Sequence, residues 1–374
     1  MRRRPLLLLA SALASAQASR PAWAQPAGDD AISPQRVLRF PRDHGAHPGS
    51  RIEWWYATGW LHGDDGRPRH GFQLTFFRSR VGDGRGWPGL AAGRFAPQQL
   101  LFAHAAVTDL AAGRHRHAQR LMRWSGDESR PEAHAARADT RLALGPWTLR
   151  RGEQGVYQAR LAAPDAGFSL ALQLRPTQPL LLQGEAGFSR KGPRPSQASH
   201  YYSQPQLAVQ ADLMLDGRPQ RLAGRGWLDH EWSEELLAPE AVGWDWLGIN
   251  LLDGGALTAF QLRRRDDAAL WAGGSLRRAD EATHSFAADA VLWTPLAHWT
   301  SPDTGARYPV RWRVQTPAGT HELRALLDAQ ELDSRASSGT VYWEGLAELL
   351  DADGRRIGLG YLEMTGRAGA MRLG

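Results

Sequence analysis

Cysteine is absent from the 374 residues, which removes disulfides, thiol nucleophiles and thiolate metal sites from consideration. Lysine is nearly absent as well: Lys191 stands alone among arginines. The most apolar stretch, residues 6–18, is shorter than the ~20 residues a membrane-spanning helix needs. Several catalytic signatures are also missing. There is no phosphate-binding P-loop, no G-x-G-x-x-G ahead of an expected helix and no G-x-S-x-G serine elbow. An H-E-x-x-H metal helix is excluded because Glu234 stands where its second histidine belongs. No metal or cofactor is therefore expected.

The amino terminus reads as an export address. Arg2-Arg3-Arg4, the apolar run and Ala22-Trp23-Ala24 make a basic start, a core and a small-x-small cleavage site. Residues 1–24 are expected to be a signal peptide of the twin-arginine or general secretory kind, with a periplasmic or secreted product. Without the four arginines of that segment, the formal net charge falls from +6 to +2. Nucleic-acid binding loses its main support with them.

The rest favours β-structure. Forty glycines and 23 prolines punctuate short alternating segments, and residues 168–174 alternate cleanly between apolar and small or polar side chains. Residues 52–61 and 72–78 read as a hairpin around Gly63-Asp64-Asp65-Gly66. Residues 81–94 are expected as a surface loop, 114–134 as a solvated basic loop, and 184–198 as an irregular rim. The two halves also look alike. Gly224-Arg225-Gly226-Trp227-Leu228-Asp229 answers Gly358-Leu359-Gly360-Tyr361-Leu362-Glu363, and arginines Arg78 and Arg263 end matching strands. Such an ordered repeat points to duplication. It predicts an unstructured lead at 25–50, one antiparallel domain at 51–235 and a second at 236–374, joined through a short helical connection near 234–237.

Chemistry concentrates at that join, in Trp227-Leu228-Asp229-His230-Glu231-Trp232 and Gly243-Trp244-Asp245-Trp246. On a strand, Asp229 and Glu231 point one way and His230 and Trp232 the other. His230 suits either a proton-transfer base or a satisfied interface residue. Asp245, between two indoles, is either a desolvated acid ready to donate a proton or the partner of an arginine. Glu53, before Trp54-Trp55-Tyr56, fits an arginine partner better.

Six blocks together carry a family resemblance: His47-Pro48 through Glu53-Trp54-Trp55-Tyr56, Tyr201-Tyr202-Ser203-Gln204-Pro205, the two tryptophan-rich blocks above, Tyr342-Trp343-Glu344-Gly345 and Gly360-Tyr361-Leu362-Glu363-Met364-Thr365-Gly366. They resemble the AttH-type secreted lipocalin-like proteins, relatives of bacterial carotenoid 1,2-hydratase. The resemblance implies two tandem lipocalin-like antiparallel β-barrels around an apolar cavity. It implies His230, Asp245 and Trp232 as catalytic residues: Asp245 as acid, His230 as water-activating base, Trp232 with Trp244 as wall and cation support. Trp246, Trp54, Tyr201, Tyr202 and Glu53 are the further ligand-binding candidates. Two functions follow from the resemblance. One is cofactor-free hydration of an isolated C=C bond in a lipid, polyene or isoprenoid. The other is non-catalytic carriage of such a molecule to ABC transporter components.

Overall fold

The computed structural model describes residues 30–81, 98–235, 237–279 and 281–369. The export segment and nearly all of the expected 81–94 loop lie outside them. The described chain is almost wholly antiparallel β-structure in two barrel-like sheets, the first nearly closed and the second a half-barrel. The first is built from β1 Ile52–His62, β2 Pro68–Arg80, β3 Gln99–Asp109, β4 Arg114–Trp124, β5 Ala133–Ala135, β6 Arg141–Leu144 and β7 Trp147–Arg151. It is completed by β8 Tyr157–Ala163, β9 Phe168–Arg175, β10 Leu181–Leu182, β11 Phe188–Arg190, β12 Ala198–Leu215 and β13 Arg218–Ser233. The second comprises β14 Gly243–Leu251, β15 Ala256–Arg263, β16 Ala269–Arg277, β17 His284–Phe286 and β18 Leu292–Thr300. With them stand β19 Arg307–Thr316, β20 Gly319–Ala325, β21 Glu331–Asp333, β22 Val341–Leu350 and β23 Arg356–Met364.

The strand orders repeat. The first sheet runs β4-β3-β2-β1-β13-β12-β9-β8-β7 before its last two strands, and the second runs β17-β16-β15-β14-β23-β22-β20-β19-β18. Each half thus closes its first strand against its last, as a duplicated hairpin-rich unit would. Close approach is built into that seam. A Cβ on Gly224 would stand 1.9 Å from the Trp60 carbonyl oxygen, and one on Gly360 1.9 Å from that of Gly248. The glycines of the two matching motifs are therefore steric requirements of the β1–β13 and β14–β23 pairings.

The three largest apolar clusters among the described residues divide most of the interior. One, with Trp55, Phe72, Leu172 and Leu228, fills the first sheet. Another, with Leu247, Trp312, Trp343 and Met364, fills the second. The third joins residues of both halves, including Tyr56, Trp227, Trp246, Phe260 and Tyr361, and seals one sheet to the other. Buried hydrogen bonds cross the same junction, among them Asn250 Nδ2 to the Gly226 carbonyl at 3.0 Å.

Three local expectations need correction. The lead is folded from residue 30: a 3-10 turn at Arg42–His44 places Asp43, His44 and His47 in the interior. The basic segment after residue 114 begins with strand β4, in which Arg116 and Trp124 are buried, Arg120 lies over the Trp147 ring, and Arg114 and Arg123 are exposed. The junction at 234–235 is a bend, not a helix, in its described residues.

Candidate functional site

Strand parity decides which chemistry meets which compartment. In the β1–β13 ladder Glu53 is opposite Trp232, Trp54 opposite Glu231, Trp55 opposite His230 and Tyr56 opposite Asp229. Directly paired residues share a face. Glu53, Trp55, His230 and Trp232 therefore turn away from the second sheet, while Trp54, Tyr56, Asp229 and Glu231 turn toward it.

The inward set forms a closed polar knot. Glu53, fully buried, meets Arg78 Nε at 2.8 Å, His47 Nδ1 at 2.7 Å and His230 Nε2 at 2.9 Å. Burial is the largest influence on the Glu53 carboxyl and raises its proton affinity. Arg78 and the histidines outweigh it and hold the carboxyl well below its usual range. Burial lowers His230 to about 4, so the ring is neutral near pH 7. Its Nε2–H then donates to Glu53, and Nδ1 accepts from Tyr202 Oη at 3.1 Å. His230 stacks on Trp55 with ring centres 4.5 Å apart, and Trp232 stacks on His47 at 3.7 Å. His47, Glu53 and His230 are close enough to hold a metal ion. Arg78 already occupies the carboxylate between them, and its charge opposes a cation there.

Asp245 is likewise held inside the protein. It meets Arg263 Nε at 2.8 Å, Arg367 Nη2 at 3.0 Å and Gln261 Nε2 at 2.8 Å. Two guanidinium groups and an amide surround the carboxylate, and Asp245, expected as the acid, is not among the residues that line the junction cavity. The expected base His230 and the expected wall Trp232 lie on the wrong face of β13. The same parity removes Glu53 and Tyr202 from any contact with a ligand at the junction.

The cavity itself lies between the sheets and encloses about 970 Å3 of space between atoms, part of it open to solvent. Its apolar wall includes Trp54, Phe77, Trp244, Trp246, Phe260 and Leu262, with Tyr201 and Tyr342 at opposite sides. Of the sequence candidates, Trp54, Trp244, Trp246 and Tyr201 reach it.

Sequence reasoning missed its acids as catalytic groups. Asp229, Glu231, Glu344 and Glu363 all line the cavity. Asp229 accepts from Trp227 Nε1 at 2.7 Å, Ser203 Oγ at 2.5 Å and Tyr201 Oη at 2.9 Å, and Trp246 Nε1 in turn donates to Tyr201 Oη at 3.2 Å. Burial dominates over these three donors and lifts Asp229 to about 7. Glu363, raised mainly by burial, also reaches about 7. Glu344 lies opposite Glu363 in the β22–β23 ladder, and burial together with that neighbour pushes it well above the carboxylate range. Glu231 is paired with Lys191 Nζ at 3.1 Å, and the ammonium also lies over the rings of Tyr201 and Phe260 at 4.7 and 4.4 Å. The segment at 184–198 thus supplies a strand, β11, and a cation at the rim.

The internal repeat was the signal that could have found these groups. Extending the Asp229–Glu363 match across the ladders sets Ser203 on Glu344, Tyr201 on Tyr342, and Tyr56 on Trp246. All of these residues except Ser203 line the junction cavity.

A family model described as AttH-like matches residues 31–367. Among solved structures, a protein from Nitrosomonas europaea described as a putative AttH is 45% identical, with a TM-score of 0.81 over 90% of this chain and 99% of that one. Kievitone hydratase from Nectria haematococca shares the fold at 12% identity, with a TM-score of 0.66 over 91% and 95% of the two chains. No curated protein matches the chain.

Proposed function

The chain belongs to the AttH-like family, and on that footing we propose that it binds an apolar, unsaturated small molecule between its two sheets and adds water across a C=C bond by acid–base catalysis. The observation that carries this reading is a tryptophan-walled cavity whose carboxyl groups are held at two different protonation levels. Glu344 keeps its proton firmly, while Asp229 and Glu363 are poised about 7. Groups poised so near the working pH suit proton transfer in both directions.

In the proposed step Glu363 donates a proton to one alkene carbon. The π pair forms the new C–H bond and leaves a cation on the other carbon, facing the indoles of Trp54, Trp244 and Trp246. A water oxygen attacks that cation, and the Asp229 carboxylate takes the water's proton. Return of a proton from Asp229 to Glu363, which influence each other's ionisation, restores both. Export through the amino-terminal segment belongs to the same proposal; the alternative is a non-catalytic carrier that delivers the ligand to ABC transporter components.

The test is to purify the exported protein, identify by mass spectrometry the apolar molecule that comes with it, and incubate that molecule with the protein in 18O-labelled water. Label should enter the product as one hydroxyl, and Asp229→Asn should slow its entry by about a hundredfold or more. A bound molecule that never takes up label would leave a carrier and remove the enzyme.

A further inference from the structure

The polar groups around the cavity are not equally satisfied. On the first sheet's side, Asp229 has three donors, Tyr201 both gives and receives a hydrogen bond, and Glu231 has Lys191. Two positions where the repeats differ are less well served, one on each sheet. Glu344 stands where the first half has Ser203, and Tyr56 stands where the second half has Trp246. Tyr56 and Glu344 are only 5% and 2% exposed, and both face the cavity. Tyr56 and Glu344 lie beside each other, with Tyr342 next to Glu344 as well, but no well-formed hydrogen bond reaches Tyr56 Oη or Glu344 Oε1. Buried polar atoms are rarely left so. An all-hydrocarbon ligand would leave both unsatisfied.

We propose that Tyr56 Oη and the Glu344 carboxyl form a two-point clamp for a carbonyl oxygen, so that the ligand is an apolar unsaturated ketone or related carbonyl compound and not a plain polyene. This rests on the junction cavity being the ligand site. The phenol is neutral, because burial and the nearby acids raise it well above its ordinary value, and burial with Glu363 opposite keeps Glu344 protonated. Two convergent donors ask for one acceptor atom with two lone pairs, which a carbonyl oxygen supplies. A ligand hydroxyl accepting from both would leave its own proton against the aromatic wall. A phenol beside a neutral carboxyl in an apolar site is an established way of holding a carbonyl oxygen and of stabilising negative charge on it. The clamp would also orient the ligand, leaving Glu363 and Asp229 to handle the double bond.

The test compares naphthalene, 2-acetylnaphthalene and 2-naphthol binding to the full chain by tryptophan quenching, with the carbonyl stretch of bound, 13C-labelled 2-acetylnaphthalene as a second readout. The ketone should bind at least about tenfold more tightly than naphthalene, its carbonyl band should move to lower frequency, and Tyr56→Phe should cost about fivefold for the ketone and nothing for naphthalene. Glu344→Leu should abolish the remaining preference. Equal binding of ketone and naphthalene, unaffected by Tyr56→Phe, would overturn the clamp and leave the cavity reading standing. A preference for 2-naphthol over the ketone would overturn the carbonyl assignment. Failure of all three probes to bind would remove the ligand site itself.

Discussion

Glu344 and Glu363 are direct cross-strand partners on β22 and β23, both facing the cavity. Like charges in that position repel across a short gap, and here little solvent screens them. The pair therefore keeps at least one proton, and the cavity carries an acid that water alone would have ionised.

That proton appears in the stability. Glu344 is ionised in the unfolded chain above about pH 5 but protonated when folded, so the folded state binds more protons and loses stability as pH rises. Histidines buried neutral, such as His44 and His104 lowered to about 3, take up protons on unfolding near pH 6.5, and folded Asp229 and Glu363 give theirs up about pH 7, so the contribution of Glu344 is the difference between wild type and a variant without it. Between pH 6.5 and 8, wherever folded Glu344 keeps its proton, the wild-type unfolding free energy should fall by roughly 1.4 kcal/mol per pH unit more than that of Glu344→Gln. Glu344→Gln should leave only the slope that the histidines, Asp229 and Glu363 contribute. Urea midpoints across that range decide it, and a parallel line for the variant would count against a protonated Glu344.

Asp245 should behave as structure. Asp245→Asn leaves Arg263 and Arg367 without their buried partner and is expected to cost about 3–5 kcal/mol of stability. Affinity for 2-acetylnaphthalene should be unchanged in the folded fraction. A stable variant that loses binding would return Asp245 to the ligand site.

His230 makes the same distinction in the first sheet. His230→Phe removes the bonds to Glu53 and Tyr202, with an expected loss of about 1–3 kcal/mol by chemical denaturation. Turnover of the native ligand by the folded variant should stay within about twofold of wild type, against the loss of about a hundredfold or more expected for Asp229→Asn. The reverse ranking would mean that the β13 faces are assigned the wrong way round.

Trp244 is half-buried and turned toward the cavity. Truncating it to alanine removes apolar wall, and should weaken 2-acetylnaphthalene by roughly tenfold while the melting temperature moves by only a few degrees. Unchanged affinity would show that the probe sits elsewhere.

Much of this molecule is legible in the residue order. Alternation and turn glycines mark strands, because a pleated backbone sends successive side chains to opposite faces. The Gly-x-Gly repeats mark the two closing seams, because only glycine fits where β13 crosses the Trp60 carbonyl and β23 that of Gly248. Alternation even separates Asp229 and Glu231 from His230 and Trp232. What it cannot supply is which face meets the other sheet. Tertiary packing alone put His230 with Glu53 and Arg78, closed Asp245 between Arg263 and Arg367, and brought Glu344 and Glu363 from residues far along the chain to face Asp229. Which compartment a side chain enters depends on contacts between strands more than a hundred residues apart, and no local pattern encodes their arrangement.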